Sequence, residues 1–414
     1  MPINANFRGI PSAYLFGEVN DRVRRYEAEH PDSKVLKLGV GDVTRPLAPA
    51  IIEALHKAVE EQAHAETFRG YGNEFGYDFL REAIAQGEYA SIGVDVEASE
   101  VFIGDGAKTD MANAQELFTE QATVAVTDPV YPIYVDANAL AGRIGTFEND
   151  RWNGLTYLDC TVENGFQAPL PKQPVEIIYL CSPNNPMGAV LTREELEEWV
   201  AYAKAHGAVI LYDVAYRAFI QGDEIPRSIY EIEGADEVAI EFGSFSKTAG
   251  FTGLRCSWSV VPKKLVIDGV SLHDGWARRQ ATKYNGTPYI VQRAAEAVYS
   301  PEGREQIEQD IEYYRRNAKL LKEAVQNAGI EAVGGDHSPY IWFRCPGDMS
   351  SWEFFDLLLE DAQVVGTPGE GFGPAGAGYF RLSAFNSYEV TLEASKRLAE
   401  VFAKLTTREV SLER

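Results

Sequence analysis

The chain has 414 residues, is 45% hydrophobic and 24% charged, and carries a net charge of −24. That composition supports a large buried core without disulfide staples and is not that of a disordered chain. So acidic a protein is a poor partner for nucleic acid or anionic membrane, although a local cationic pocket for an anionic substrate remains compatible with it.

In chain order, the opening MPINANFRGIPSAYLFGEVNDRVRRYE shows no apolar leader core. Residues 49–63, PAIIEALHKAVEEQA, space their apolar side chains for one helix face, and GYDFLREAIAQGEYA at 76–90 predicts another helix. GAKTD at 106–110 precedes the helix-like MANAQELF, so its backbone N–H groups form a candidate anion site. TVAVTD at 123–128 and EIIYLCS at 176–182 are short apolar runs ending in polar residues, and read as buried strands. In LTREELEEWVAYAKAHG, Thr192 and Glu195 form a capping box and Gly207 ends the helix. AVILYD (208–213), EVAIEF (237–242) and CSWSVV (256–261) predict further strands. This alternation points to an α/β fold with a mostly parallel sheet. After about residue 290 the pattern changes to a long helical stretch (301–329), the runs PYIWFRC and YFRLSAF, and helices at 350–360 and 387–405. That predicts a second, α+β domain, with the N-terminal arm packing on it.

The four cysteines, Cys160, Cys181, Cys256 and Cys345, form no CxxC pair, and the six histidines have no HExxH or HxH spacing. Reduced thiols in a cytosolic protein are expected, and no metal site. No run is long and apolar enough to span a bilayer.

In open α/β sheets ligands bind beyond the carboxyl ends of the strands. After TVAVTD comes Tyr131, and after EIIYLCS come Asn184 and Asn185. AVILY leads to Asp213 and Tyr216, and EVAIEF leads to Ser244, Ser246 and Lys247. A partly desolvated lysine can form a Schiff base with an aldehyde. Ser244, Ser246 and Arg255 can hold a phosphate. An aspartate can pair a pyridinium, and a tyrosine with an asparagine can bind a phenolic oxygen. Aldehyde, phosphate, pyridinium and phenolate are together the needs of pyridoxal phosphate. GFGPAG at 371–376 fits a dinucleotide pattern but precedes a strand and contains Pro374, so it reads instead as a loop that positions Arg381.

SFSKTAGFTGLR, CSPNNPMG, YDVAY, DPVYPIY and GAKTD resemble the motifs of fold-type I, class I/II pyridoxal-phosphate-dependent aminotransferases. FRGYGNEFGY, ATKYNG, SPYIWF and GFGPAGAGYFRLSAF extend the resemblance to the LL-diaminopimelate aminotransferase family, from about Tyr14 to the last helix. The resemblance implies a large cofactor-binding domain at 46–289 and a small C-terminal domain at 290–414, with 1–45 as an arm and part of the small domain. It implies a cytoplasmic homodimer with shared active sites, acting on LL-diaminopimelate, 2-oxoglutarate and glutamate.

The resemblance also implies roles. Lys247 is the Schiff-base lysine and proton shuttle, Asp213 pairs the pyridinium, and Tyr131 stacks on the ring. Tyr216 and Asn185 bind the phenolic oxygen. Ser244, Ser246, Arg255, the Ala107–Lys108 backbone and Tyr71 from a second subunit hold the phosphate, and Asn285 also belongs to the cofactor set. Arg381 clamps the substrate α-carboxylate. Tyr14, Gly41, Glu74, Lys108, Tyr131, Asn185 and Asn285 contact substrate, Glu74 and Asn285 across the dimer. Two departures stand out: Met187 replaces the family's threonine in PNNPMG, and Tyr284 its phenylalanine in TKFNG. On the residues alone, an aspartate- or aromatic-type transaminase or a lyase of the same fold remains open. A non-catalytic binding protein is the third reading, though the chain has no basic segment to bind DNA.

Overall fold

Strands built almost wholly of Val, Ile, Leu and Tyr are stable only when both faces are covered. In the computed structural model, which describes residues 5–8, 15–148, 150–347 and 349–412, such strands form one seven-stranded sheet. Its order is Val101–Gly104, Ser257–Val260, Ala239–Ser244, Val209–Asp213, Ile177–Cys181, Val124–Asp128, Leu155–Asp159. Ser257–Val260 runs antiparallel to both neighbours, and the remaining pairings are parallel. The mostly parallel α/β sheet expected from the sequence is therefore present. Trp258 lies opposite Gly243. A Cβ on Gly243 would run into the Trp258 indole, so only glycine fits there.

Several elements differ from the sequence expectation. The strand expected at 237–242 runs Ala239–Ser244, because Ala235–Glu237 form a 3-10 turn. Ser244 therefore ends a strand instead of standing in a loop. The helix expected over 76–90 is Asp78–Ile84 followed by a π turn, Ala85–Tyr89. The wider turn seats Tyr89, whose hydroxyl donates to buried Glu241 (2.8 Å) and accepts from the Trp258 indole (2.9 Å). The first helix after GAKTD begins earlier than expected, at Ala107, and spans Ala107–Asn113. Strands Val101–Gly104 and Leu155–Asp159 were not apparent in the sequence. The helix Arg193–His206 starts where Thr192 accepts from the Glu195 N–H (3.2 Å) and closes at Gly207, whose φ is +67°.

A four-stranded antiparallel sheet, Ala332–Gly334, Tyr340–Arg344, Tyr379–Ser383 and Thr367–Pro368, lies in the C-terminal part of the chain. Its core includes side chains from helices Pro301–Gln326, Ser351–Ala362 and Tyr388–Leu412. Val19 and Val23, from the N-terminal helix Leu15–Glu29, are buried in the same core. Leu36–Lys37 pairs in parallel with Val364–Val365, and Arg22 pairs with Asp356 (2.7 Å) over the Trp352 ring (4.4 Å). Met187 is buried in this core as well, so an apolar contact ties its loop to the second sheet.

Candidate active site

The carboxyl ends of the parallel strands open into a cavity of about 380 Å³. Gly41, Ala107, Lys108, Tyr131, Asn185, Asp213, Tyr216, Ser244, Ser246, Lys247, Arg255 and Arg381 all line it. Parallel strands run in one direction, so their carboxyl ends share one edge, which is why polar residues distant in sequence meet there.

Asp213 ends its strand and is buried. Its carboxylate accepts from the Tyr134 hydroxyl (2.7 Å) and from the Ala215 N–H (2.9 Å). Burial pushes its pKa up, and those two hydrogen bonds oppose the rise. Tyr216, one step along the chain from Ala215, shares a hydrogen bond with Tyr340 (hydroxyl to hydroxyl, 2.8 Å). Burial drives the Tyr216 hydroxyl well above its ordinary range, so it stays protonated. Tyr131 caps the start of helix Pro132–Leu140 and meets Tyr134 edge-on (5.6 Å).

A second group of residues forms an anion cradle. The Ala107 and Lys108 amides precede the first helical hydrogen bonds, which Thr109 and Asp110 give to the Gly106 carbonyl. Gly106 has φ +136°, and a Cβ there would strike the Arg255 guanidinium, so glycine lets the loop and the cation approach. Arg255 itself is in the left-handed region at φ +59° and donates to Ser246 Oγ (3.4 Å) and the Thr252 carbonyl (3.3 Å). Ser244 caps the helical turn Phe245–Thr248 by accepting from the Ser246 N–H (3.1 Å), which leaves its own hydroxyl hydrogen available. Behind the loop the Gly106 N–H donates to Ser257 Oγ (2.8 Å), and Ser257 donates to Asp110 (2.6 Å). Burial pushes the Asp110 carboxyl up to about 7.

Lys247 donates to the Gly41 carbonyl, and its Nζ lies 5.6 Å from the Phe385 ring centre. Burial brings its amine down to about 8; Arg255 and Arg381 act in the same direction and Asp42 opposes them. Neutral amine is thus accessible near neutral pH. Arg381 is 1% exposed. It donates to Asn185 Oδ1 (2.6 Å) and the Gly39 carbonyl (2.8 Å), with the rings of Tyr340 (4.4 Å) and Phe372 (4.9 Å) against its guanidinium. Phe372 comes from the GFGPAG stretch, and its carbonyl accepts from the Val130 N–H (2.8 Å) beside Tyr131.

The fit to pyridoxal phosphate is direct. One cavity gathers a buried carboxylate, a cradle of amides, hydroxyls and Arg255, and the Lys247 amine with a lowered pKa. Not all expected residues meet there. Tyr71, 93% exposed, Glu74 and Asn285 lie outside the cavity of this chain. The backbone at Glu74 instead packs against Gly286, where an added Cβ would sit 3.2 Å from the Asn73 carbonyl. Tyr14 lies outside the described residues. The cavity also includes Val40, Asp42, Tyr134, Cys181, Thr252 and Tyr340, for which sequence reasoning had given no role. Two of them carried a usable signal: Tyr134 falls one helical turn after Tyr131, and Asp42 follows Gly41.

Known proteins resemble this chain over nearly its whole length. The sequence profile of the family described as aminotransferase class I and II matches residues 33–399. The chain is 53% identical over 398 residues to the LL-diaminopimelate aminotransferase of Agathobacter rectalis, covering 96% of this chain and 98% of that one. It is 51% identical over 405 residues to the protein of the same name from Methanosphaera stadtmanae, covering 96% and 98%. Among solved structures, L,L-diaminopimelate aminotransferase from Chlamydomonas reinhardtii superposes with a TM-score of 0.92 at 43% identity, over 97% of this chain and 99% of that one. An aromatic aminotransferase from Pyrococcus horikoshii gives 0.79 at 26% identity, over 93% and 99%.

Proposed function

The chain belongs to the class I and II aminotransferase family, and on that premise we infer a specific reaction. The protein is a pyridoxal-phosphate-dependent transaminase that interconverts LL-diaminopimelate and 2-oxoglutarate with tetrahydrodipicolinate, L-glutamate and water. It serves the biosynthesis of diaminopimelate and lysine. The observation that carries this reading is 53% identity, sustained over 96% of the chain, to proteins of that activity. The cavity is in keeping with it, because it gathers an amine of lowered pKa, a buried carboxylate and a buried guanidinium.

When bound, pyridoxal phosphate supplies the aldehyde that exchanges amines and the ring that accepts electrons from the substrate Cα. The residues of this chain do the rest. We assign the Lys247 amine to the covalent anchor and to carrying the proton between Cα and the cofactor carbon. The lowered pKa of Lys247 lets its Nζ take a proton near neutral pH. Asp213 holds the ring-nitrogen proton, and Tyr216 and Asn185 bind the phenolic oxygen. Tyr131 covers the ring face. Ser244, Ser246, Arg255 and the Ala107–Lys108 amides hold the phosphate. Arg381 binds the α-carboxylate of donor and acceptor alike, so the two substrates use one site in turn, in ping-pong order. Gly41 and Lys108 line the same cavity, and we assign them, with Tyr14, to contact with substrate.

Tyr71, Glu74 and Asn285 are assigned to the neighbouring active site of a homodimer. The exposure of Tyr71 and the position of the 74/286 contact outside the cavity support that arrangement. We propose large and small domains at 46–289 and 290–414, with 1–45 joining the small one, in line with the two sheets. Four buried free cysteines suit a reducing compartment, and the cytoplasm is the one we propose.

The test is an amino-donor panel on purified protein that includes LL- and meso-diaminopimelate, glutamate, aspartate and phenylalanine. LL-diaminopimelate and glutamate are expected to be the preferred donors. Turnover of aspartate or phenylalanine far above that of diaminopimelate would overturn the substrate assignment.

A further inference from the structure

Asp213 is held by two donors that come from different parts of the fold. The Ala215 N–H belongs to its own loop, while Tyr134 reaches in from helix Pro132–Leu140. Tyr134 is 3% exposed and is stacked on Tyr179 (5.0 Å, 20° between planes). The same ring stands edge-on to Tyr131 (88°). One side chain thus touches both groups that flank the ring position, the carboxylate at its end and the tyrosine on its face. The other groups facing Asp213 and Tyr134 are the Cys181 thiol, at the end of strand Ile177–Cys181, and the Tyr340 hydroxyl, from strand Tyr340–Arg344.

We propose that Tyr134 is a positioning residue for this reaction: its hydroxyl keeps the Asp213 carboxylate ionised and fixes its plane toward the ring nitrogen. The proposal rests on the reading of Asp213 given above. A carboxylate with one oxygen pinned by a phenol and the other by an amide has little freedom to rotate. Asp213 lines the cavity, so its carboxylate is held in place there before the cofactor arrives. Burial alone favours the neutral acid, and the Tyr134 hydrogen bond opposes it. The phenol remains a donor over the working range, because burial holds its pKa far above ordinary.

The test uses the full-length apoprotein labelled at aspartate carboxyl carbons and titrated by infrared spectroscopy. The Asp213 band is identified by its loss in Asp213→Asn. In Tyr134→Phe, which keeps the ring, the protonation midpoint of Asp213 is expected to rise by about one pH unit. With 3-fluorotyrosine placed at position 134, a more acidic donor, the midpoint moves the other way. In the holoenzyme, Tyr134→Phe is expected to weaken pyridoxal phosphate binding about tenfold in equilibrium dialysis. A midpoint unmoved in Tyr134→Phe, or displaced in the same direction by both changes, overturns the proposal, even if thermal stability falls. If Asp213→Asn binds the cofactor as tightly as the parent, the role of Asp213 itself is overturned. The midpoint titration does not depend on the cofactor, so the two failures are separable.

Discussion

The inner wall of the cavity and the stretches around Tyr71, Glu74 and Asn285 are built differently. On the inner wall, strands 177–181, 209–213 and 239–244 deliver Asn185, Asp213, Ser244 and Lys247 to one edge within a single chain. The outer stretches lie outside that cavity; Tyr71 is almost fully exposed, and Glu74 packs with Gly286. Under the assignment proposed above, this is a division of labour: the sheet carries the chemistry, and the outer stretches serve a second copy. Perturbing the two regions should therefore produce different kinds of defect.

The largest effect belongs to the inner wall. Lys247→Ala removes the residue assigned above as anchor and proton carrier, and turnover is expected to fall by more than about 10³-fold. The absorbance of lysine-linked cofactor disappears with it. Retention of both signals in a spectrophotometric assay would break the assignment.

Next comes Arg381→Lys, which keeps the charge and loses the planar fork that spans Asn185 and Gly39. Losing roughly 3 kcal/mol of charge-assisted hydrogen bonding corresponds to about a 10²-fold drop in kcat/KM. The drop should appear for glutamate and diaminopimelate alike, since both present the same α-carboxylate. A change below about threefold would mean that the carboxylate lodges elsewhere.

The outer region predicts a selective defect. Glu74→Gln should lower kcat/KM for LL-diaminopimelate about tenfold while changing that for glutamate less than about twofold. Equal losses for both donors would dissolve the distinction between the two regions. Sedimentation with activity measured on dilution checks the second copy: an active monomer would contradict the shared site.

The sequence made the inner wall readable because strand ends in a parallel sheet follow one geometric rule, and Asp213 ends such a strand while Tyr216, Ser246 and Lys247 follow one. For Tyr134 it offered only the spacing from Tyr131, and for Tyr340 nothing, because their importance comes from hydrogen bonds to Asp213 and Tyr216 across long sequence separations. Strand Leu155–Asp159 escaped notice because it is an edge strand with a half-exposed middle, so its apolar run is interrupted. The π turn at Ala85–Tyr89 answers to a buried partner, Glu241, that no local pattern reveals. The roles of Glu74 and Asn285 came from family resemblance alone, for neither meets the cavity within this chain.

The smallest effect concerns the charges around Lys247. If Lys247 is the anchor assigned above, linkage of pyridoxal phosphate to the apoprotein needs its neutral amine, so the linkage rate should rise with pH, about tenfold per unit below the midpoint, and level off above about 8. Asp42 favours the charged lysine, whereas Arg255 and Arg381 disfavour it. Asp42→Asn should therefore shift the midpoint down and speed association at pH 7. The gain should be only roughly two- to threefold, because Asp42 is exposed and screened by solvent. Arg255→Gln should shift the midpoint up, since it removes a like charge. It also weakens phosphate binding, so the midpoint of the stopped-flow rate profile, not its amplitude, is the quantity to compare. Opposite signs in the two variants would show that these charges tune the Lys247 pKa on top of burial, while a midpoint unmoved in both would leave burial as its sole cause.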